Sequence, residues 1–313
     1  GAERGEKIAG GVITVGGLLV IVAVFGIMVF LIRVVAPLLS GGEVLGQTSY
    51  QAPVSGQVIW VSGDEFQTLG ISVDDTGEVL VFHLPTGSVI DRQNLGFATP
   101  ATAISGTIER DRIAIGFADG TVRFAELSVL GTATPAARLP ADLARLDDRD
   151  RTSDGKVYTR VQTGDFRTLE ARISIGAPQQ VSQQAIIALD YRTGGTRERP
   201  TISFATVDVE GTVRVSRSTV QVNLMTGAET VRTTTTELPP LPLGAGVGVS
   251  ELLLSGSADR AIVATTDGAL HRYDLRNLAA PALAESFRAL PEGVEASALS
   301  FLGGEQSLVV GGS

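Results

Sequence analysis

Few residues of this chain could do chemistry. His83 and His271 are its only histidines and there is no cysteine, which removes disulfides, thiolate metal sites and cysteine nucleophiles. Carboxylates meet glycine at recurring points: Asp75 with Gly77, Asp119 with Gly120, Glu210 with Gly211, Asp267 with Gly268, and Gly164 followed by Asp165. A metal pair needs clustered ligands, and the two histidines fall in separate copies of a repeated phrase. The carboxylates lack the Asp-x-Asp-x-Asp-Gly spacing of a calcium loop. No Gly-x-Ser-x-Gly elbow occurs, and the glycine-rich GGVITVGG (10–17) lacks the Lys-Ser/Thr of a phosphate loop. Arginines gather at 110 and 112, at 145, 149 and 151, and at 192, 197 and 199, but Glu109, Asp111, Asp147, Asp148, Asp150 and Glu198 are interleaved with them. Ordinary surface pairing accounts for that pattern. The expectation is no enzyme, no cofactor and no metal.

The carboxylate–glycine pairs make better sense as turns. LGISVDDTGEVLVF (69–82), IAIGFADGTVRF (113–124), ISFATVDVEGTVRV (202–215) and AIVATTDGALHRY (261–273) are variants of one phrase. In each, an apolar run ends at a carboxylate and a glycine, and an alternating run follows. Glycine supplies the positive φ of a tight two-residue hairpin turn. Alternation implies one packed and one solvated face.

Spacing then sets the architecture. The glycines at 77, 120, 211 and 268 are separated by 43, 91 and 57 residues. The middle gap is close to two units, which places a degenerate copy at VQTGDFRTLEARI with Gly164 at its turn. Several short strands repeating every 40–45 residues indicate the blades of a β-propeller. A two-sheet sandwich is the competing architecture, since closely spaced turns suit it too. Helical repeats fit poorly, because only PAARLPADLARLDDRD (135–150) reads as helix or loop. Blades are expected from near 50, 96, 141, 186, 241 and 286, with RTTTTELPPLPLGAGVG (232–248) as an inserted loop. The final LVVGGS (308–313) aligns with IAIGFA, so the last blade reads as truncated and the ring as incomplete. QVIWVS (57–62) is a candidate strand to close it by joining that last blade.

Ahead of the repeats, residues 8–32 carry no charge (IAGGVITVGGLLVIVAVFGIMVFLI). As a helix they would extend roughly 37 Å, enough to cross a hydrocarbon core of about 30 Å. The run is too long for a secretory signal. Two domains follow: 1–40, a tail and transmembrane helix, and 41–313, an all-β WD40-like propeller. Arg4 and Lys7 precede the span. After Arg33 no Lys or Arg occurs until Arg92, a bias that puts the N-terminus in the cytoplasm. In a bacterium the bulk of the chain would then be periplasmic, on the inner membrane. Ala9, Gly16 and Ala23 recur every seven residues, as do Gly10 and Gly17, and small residues on one face let membrane helices pack. A formal charge of −9 argues against nucleic acid as a partner.

The stretch ERGEKIAGGVITVGGLLVIVAVFGIMVFLIRVVAPLL (3–39) resembles the first membrane helix of PstC-type permease subunits of phosphate ABC transporters. The charged lead-in, the GG pairs and FLIRVVAPLL carry the resemblance. It implies one half of an inner-membrane pore for phosphate uptake, with a WD40-like propeller between the first two membrane helices as a periplasmic docking domain. Its partners would be the membrane, other permease helices and subunits, and a periplasmic phosphate-binding protein. A cytoplasmic ATPase would be reached only through parts of the chain not present here. The permease core and ATPase-contacting loop are missing, so no translocation residue carries over. The alternative is a single-span, membrane-anchored propeller serving as a signalling receptor ectodomain or an assembly scaffold.

Overall fold

The computed structural model describes the backbone of residues 2–39, 49–51, 53–106, 112–161, 164–196, 199–222 and 229–313, and their side chains except at 2–14, 37–39, 199–200, 220–222 and 229–231. The chain forms two compact units, Gly1–Ser49 and Tyr50–Ser313.

The first unit is one helix, α1 (Ala2–Leu39). Within it Val15–Ala36, 22 residues of mean hydropathy 3.0, is long and apolar enough to cross a membrane. At 1.5 Å per residue it extends about 33 Å, and Leu, Ile, Val and Phe occupy every face, as a lipid-facing helix requires.

The second unit is a β-propeller built of antiparallel sheets in chain order. The first sheet holds β1 (Val58–Gly63), β2 (Leu69–Asp74), β3 (Glu78–His83) and β4 (Val89–Asn94). The second begins with β5 (Ala101–Gly106), β6 (Arg112–Phe117) and the long β7 (Thr121–Thr134). Only the first part of β7 pairs with β6. The chain then makes a 3-10 turn at Ala136–Arg138 and forms β8 (Ala144–Arg145), β9 (Asp150–Ser153), β10 (Lys156–Arg160) and β11 (Phe166–Ile175). β11 pairs along β7 from Thr134 back to Ala125, and β12 (Gln179–Gln180) continues along β7 at Thr121–Val122. The third sheet is β13 (Ile186–Thr196), β14 (Arg199–Asp208), β15 (Val213–Val222) and β16 (Glu229–Glu237). The fourth is β17 (Val249–Leu254), β18 (Arg260–Thr265), β19 (Ala269–Asp274) and β20 (Ala282–Arg288), and a fifth contains β21 (Ala296–Phe301) and β22 (Leu308–Gly312). Among the described residues the sheets are not closed into a full ring.

Among the described residues, four apolar cores lie between consecutive sheets. Ile71, Val73 and Val81 meet Ile113, Ile115 and Leu127; Ala114 and Val122 meet Leu189, Tyr191 and Phe204; Val207 and Val215 meet Leu252, Val263 and Tyr273; Ile262 and Leu270 meet Ala296. Neighbours along β18 therefore serve opposite cores, Val263 toward the third sheet and Ile262 toward the fifth. This is why the second strands are buried along all or nearly all of their length, as in β2 and, beyond Arg112, in β6, and why a one-sided packing scheme does not describe them. Each fully buried Leu or Ile contributes about 1.5–3 kcal/mol.

Polar stitches join the innermost strands. Asp190 accepts hydrogen bonds from Ser105 Oγ at 2.8 Å and the Leu254 amide at 2.7 Å, linking the second, third and fourth sheets. Tyr273 donates to the Pro239 carbonyl at 2.7 Å, and Tyr191 to that of Arg112.

Three sequence expectations change. The segment from 141 is an insertion extending the second sheet, because β11 finds its partner in the outer part of β7. The strand within QVIWVS is the inner strand of the first sheet, held by β2, so it does not join the last sheet. The 232–248 stretch is a loop only after Glu237; its threonines belong to β16. The wide spacing around Gly211 comes from the ten-residue strands β14 and β15.

Candidate functional site

The repeated turns share one backbone design. The amides of Gly77, Gly120, Gly211 and Gly268 donate to the carbonyls of Asp74, Phe117, Asp208 and Thr265, three residues earlier. Each glycine has φ between 76° and 87°, while the residues preceding it stay in ordinary regions. This is a turn closed by a left-handed glycine, the longer hairpin loop, rather than the two-residue turn expected from the sequence. Gly164 (φ 88°) closes the β10–β11 connection in the same way onto Val161. A two-residue turn does occur at Asp154-Gly155, where both φ values are positive (48° and 69°). The SDGK phrase between Thr152 and Val157 carries its signal.

Two of the turn carboxylates, Asp119 and Asp267, act within their own hairpins, and two, Asp75 and Glu210, reach the chain that leads into their sheets. Asp119 Oδ1 accepts from the Thr121 amide and hydroxyl. Asp267 Oδ1 accepts from Thr265 Oγ1 at 2.6 Å and the Ala269 amide. Asp75 accepts from the Gln57 amide at 2.9 Å, and Glu210 from Gln184 Nε2 at 3.0 Å. Two anchors were missed from sequence. Asp74 and Asp208, three residues before their glycines, are 1% exposed. Asp74 binds the Thr76 hydroxyl and the amides of Thr76, Glu78 and Gly56. Asp208 binds the Glu210 and Thr212 amides, Ser182 Oγ and Arg214. In both, burial pushes the carboxyl up, but hydrogen bonds outweigh it and hold the pKa below the usual value: chiefly from Thr76 for Asp74, and from Arg214 and Ser182 for Asp208.

The histidines differ. His271, on β19, bonds Ser286 Oγ through Nδ1 at 2.8 Å, and burial pushes its pKa down against the pull of Asp267. His83, at the end of β3, is fully buried, and its Nε2 lies 3.1 Å from Asp150 Oδ2 and 3.8 Å from Asp147 Oδ2 on the insertion. The arginine clusters find carboxylates: Arg112 with Glu126, Arg145 with Asp148, Arg192 with Asp190. Arg110 and Arg197 lie outside the described residues, and Arg199 outside the described side chains.

Between the first sheet and the second, whose insertion contributes Leu169, a cavity of about 560 Å³ opens. Its floor is Ile71, Ile113, Leu127 and Leu169, and its mouth is Trp60, Val61, Asp64, Glu65, Phe66 and Arg112. The loop 64–68 builds that mouth. Asp64 folds back to accept from the amides of Phe66, Thr68 and Leu69, and Gln67 takes a left-handed φ of 55°. Phe66 is thereby pushed outward, 40% exposed. The Arg167 guanidinium from β11 stacks 3.7 Å above its ring. Trp60 lies flat on Gly106, where a Cβ would come within 2.3 Å of the indole. Val61 beside it is 60% exposed. Of this cleft, the sequence marked Arg112 as part of an arginine cluster and Trp60 and Val61 only as part of a candidate closing strand.

The described residues contain one membrane-length helix, so the packing face of Ala9, Gly10, Gly16, Gly17 and Ala23 has no second membrane helix against which to be read. A Cβ at Gly16 or Gly17 would meet nothing within 4 Å, and Ala9 and Gly10 lie outside the residues whose side chains are described.

No protein-family model matches the chain, and no curated protein does. Among solved structures it is similar to the β-propeller domain of Cps50 (Swd1) from Myceliophteria thermophila, at 14% identity and a TM-score of 0.42 over 83% of this chain. The match spans 64% of the length of that structure. These findings overturn the resemblance to phosphate permease subunits: the similarity is to a WD40-like propeller, with no sign of a phosphate ABC permease. The resemblance rested on an apolar run with GG pairs, a charged lead-in and FLIRVVAPLL, and glycines and flanking charges are common to spanning helices of many kinds.

Proposed function

We propose that this chain is a membrane-tethered β-propeller that holds a protein partner as an assembly scaffold or receptor ectodomain. The observation that carries the reading is the cleft between loop 64–68 and the insertion. It is concave and apolar at its floor, with Trp60, Val61 and Phe66 presented at its mouth and charged groups at its rim. Aromatic anchors around a pocket with a polar rim suit the docking of an extended segment carrying an apolar side chain. The chain's charge of −9 favours a partner with basic flanks. The span Val15–Ala36 supplies the tether, and the cations Arg4 and Lys7 ahead of it favour a propeller on the far side of an inner membrane from the cytoplasm.

Site-specific photo-crosslinking in native membranes tests this. A crosslinker replacing Val61 should yield one discrete protein adduct that is lost when Phe66→Asp is added. The same crosslinker replacing the exposed Thr234 on β16 should yield none. Equal labelling from both positions, or no adduct from position 61, would sink the docking reading.

A further inference from the structure

The insertion brings two carboxylates onto a buried imidazole, and the surrounding hydrogen bonds leave one ligand atom free on each. Among the described residues, His83, Asp147 and Asp150 are the one group whose ligand atoms converge, all within 4.8 Å of one another. Thr86 Oγ1 donates to Ser88 Oγ, so toward His83 it accepts: Nδ1 carries the hydrogen, and the bond is 2.8 Å long. Nε2 is left facing the carboxylates. Asp147 Oδ1 is occupied by the amides of Arg149 and Asp150, both at 2.7 Å, which leaves Oδ2 free. Asp150 Oδ1 accepts from Thr159 Oγ1, a bond within the insertion between β9 and β10, which leaves its Oδ2 for the imidazole.

An orienting partner on the far atom of every ligand is the outer-shell pattern of metal sites. Two ligands about 2.1 Å from a tetrahedral zinc ion would sit roughly 3.4 Å apart. The observed separations from Nε2, 3.1 Å and 3.8 Å, bracket that value. His83 and Asp150 are buried, whereas the Asp147 side chain is 28% exposed, so a cation has a route in and a fourth position open to water. One neutral imidazole and two carboxylates would offset the charge of a divalent ion.

We propose that His83 Nε2, Asp147 Oδ2 and Asp150 Oδ2 form a divalent transition-metal site, with zinc the ion best suited to one nitrogen and two oxygens at this spacing. Bound there, the metal clips the insertion to the end of β3. The same insertion carries Leu169 and Arg167, which help to build the cleft, so metal occupancy would stiffen one cleft wall. The site stands independently of the docking proposal.

The test uses the full chain in detergent, stripped with a chelator and titrated with zinc chloride, with calorimetry and elemental analysis as readouts. One zinc per chain is expected, with an X-ray absorption edge fitted by nitrogen and oxygen ligands only. His83→Ala should weaken binding about 100-fold or more and Asp147→Asn about 10-fold or more, while Asp119→Asn leaves it unchanged. Asp147→Asn guards against misfolding, because asparagine can still accept the Arg149 and Asp150 amide hydrogens and the His83–Asp150 pair remains. Absence of zinc uptake by the folded wild-type chain, or uptake that Asp147→Asn does not alter, would overturn the proposal and leave a proton between His83 and Asp150 as the occupant.

Discussion

The turns of the first and fourth sheets carry the same two side chains in opposite order. At the first, Asp74 sits three residues before Gly77 and accepts from the Thr76 hydroxyl at 2.7 Å. At the fourth, Thr265 holds that position and donates to Asp267 at 2.6 Å. The same hydrogen bond closes both loops, yet the carboxylates do different work. Asp267 stays at its own hairpin, with Arg288 as its outside partner. Asp74, at the buried position, also takes the Gly56 amide at 2.9 Å and so fastens the segment that leads into β1. Asp208 repeats that arrangement in the third sheet, reaching Ser182 ahead of β13. A buried carboxylate at the strand end joins a hairpin to the incoming chain; at the apex, Asp119 and Asp267 serve their own loops, while Asp75 and Glu210 make exposed bonds to Gln57 and Gln184 of the incoming chain.

The sharpest way to break this comparison is Asp208→Ala. It removes four hydrogen-bond acceptor contacts and leaves Arg214, 19% exposed, without its buried partner. We expect a loss of about 3 kcal/mol, read by chemical denaturation at pH 7. A loss below 1 kcal/mol would mean that the strand-end carboxylate is no more than a turn residue.

Acid should expose the same hierarchy. Asp74, Asp208 and Asp267 have folded-state pKa values below 3.8, so their contribution is complete above that value and is lost as pH falls beneath it. Asp208→Asn should flatten this limb more than Asp119→Asn. His271 acts at higher pH. Its folded pKa lies below 6.5, so the unfolded chain binds more protons in the window beneath 6.5, and stability falls as pH drops through it. His271→Gln should remove that component, measured as denaturation midpoints from pH 7 to 5.

Exchanging the order at the first sheet, Asp74→Thr with Thr76→Asp, should preserve the turn but release the Gly56 amide, at a cost of about 1 kcal/mol. A neutral exchange would show that the two orders are equivalent. Smallest is Asp119→Ala, an exposed apex carboxylate, expected to cost about 0.5 kcal/mol or less in the same denaturation assay.

The repeated turns were legible because their requirement is local. A left-handed backbone position selects glycine whatever the rest of the chain does, and Gly77, Gly120, Gly211 and Gly268 marked four sheets at their hairpins. The same chemistry misled at Gly164. Its hairpin is real, but hairpin residues do not say which strand the pair will lie beside, and β11 lies along β7. Burial misled similarly: strands such as β2, packed on both faces, carry no alternation that would distinguish their two cores.

The candidate sites were largely illegible for one reason. Phe66 and Arg167 are about a hundred residues apart in the chain, and His83 is separated from Asp150 by 67, so neither contact leaves a local spacing to detect. What the sequence determined by itself was a membrane-length helix, a set of glycine-closed hairpins and the propeller they build, because length, hydropathy and φ act within a few residues. Only the tertiary structure decided that β8, β9, β10 and β11 extend the second sheet, that a cleft opens beside them, and that two carboxylates of this insertion converge on an imidazole. Those outcomes depend on which distant strands pair, and pairing is set by the competition of whole faces for burial rather than by any single residue.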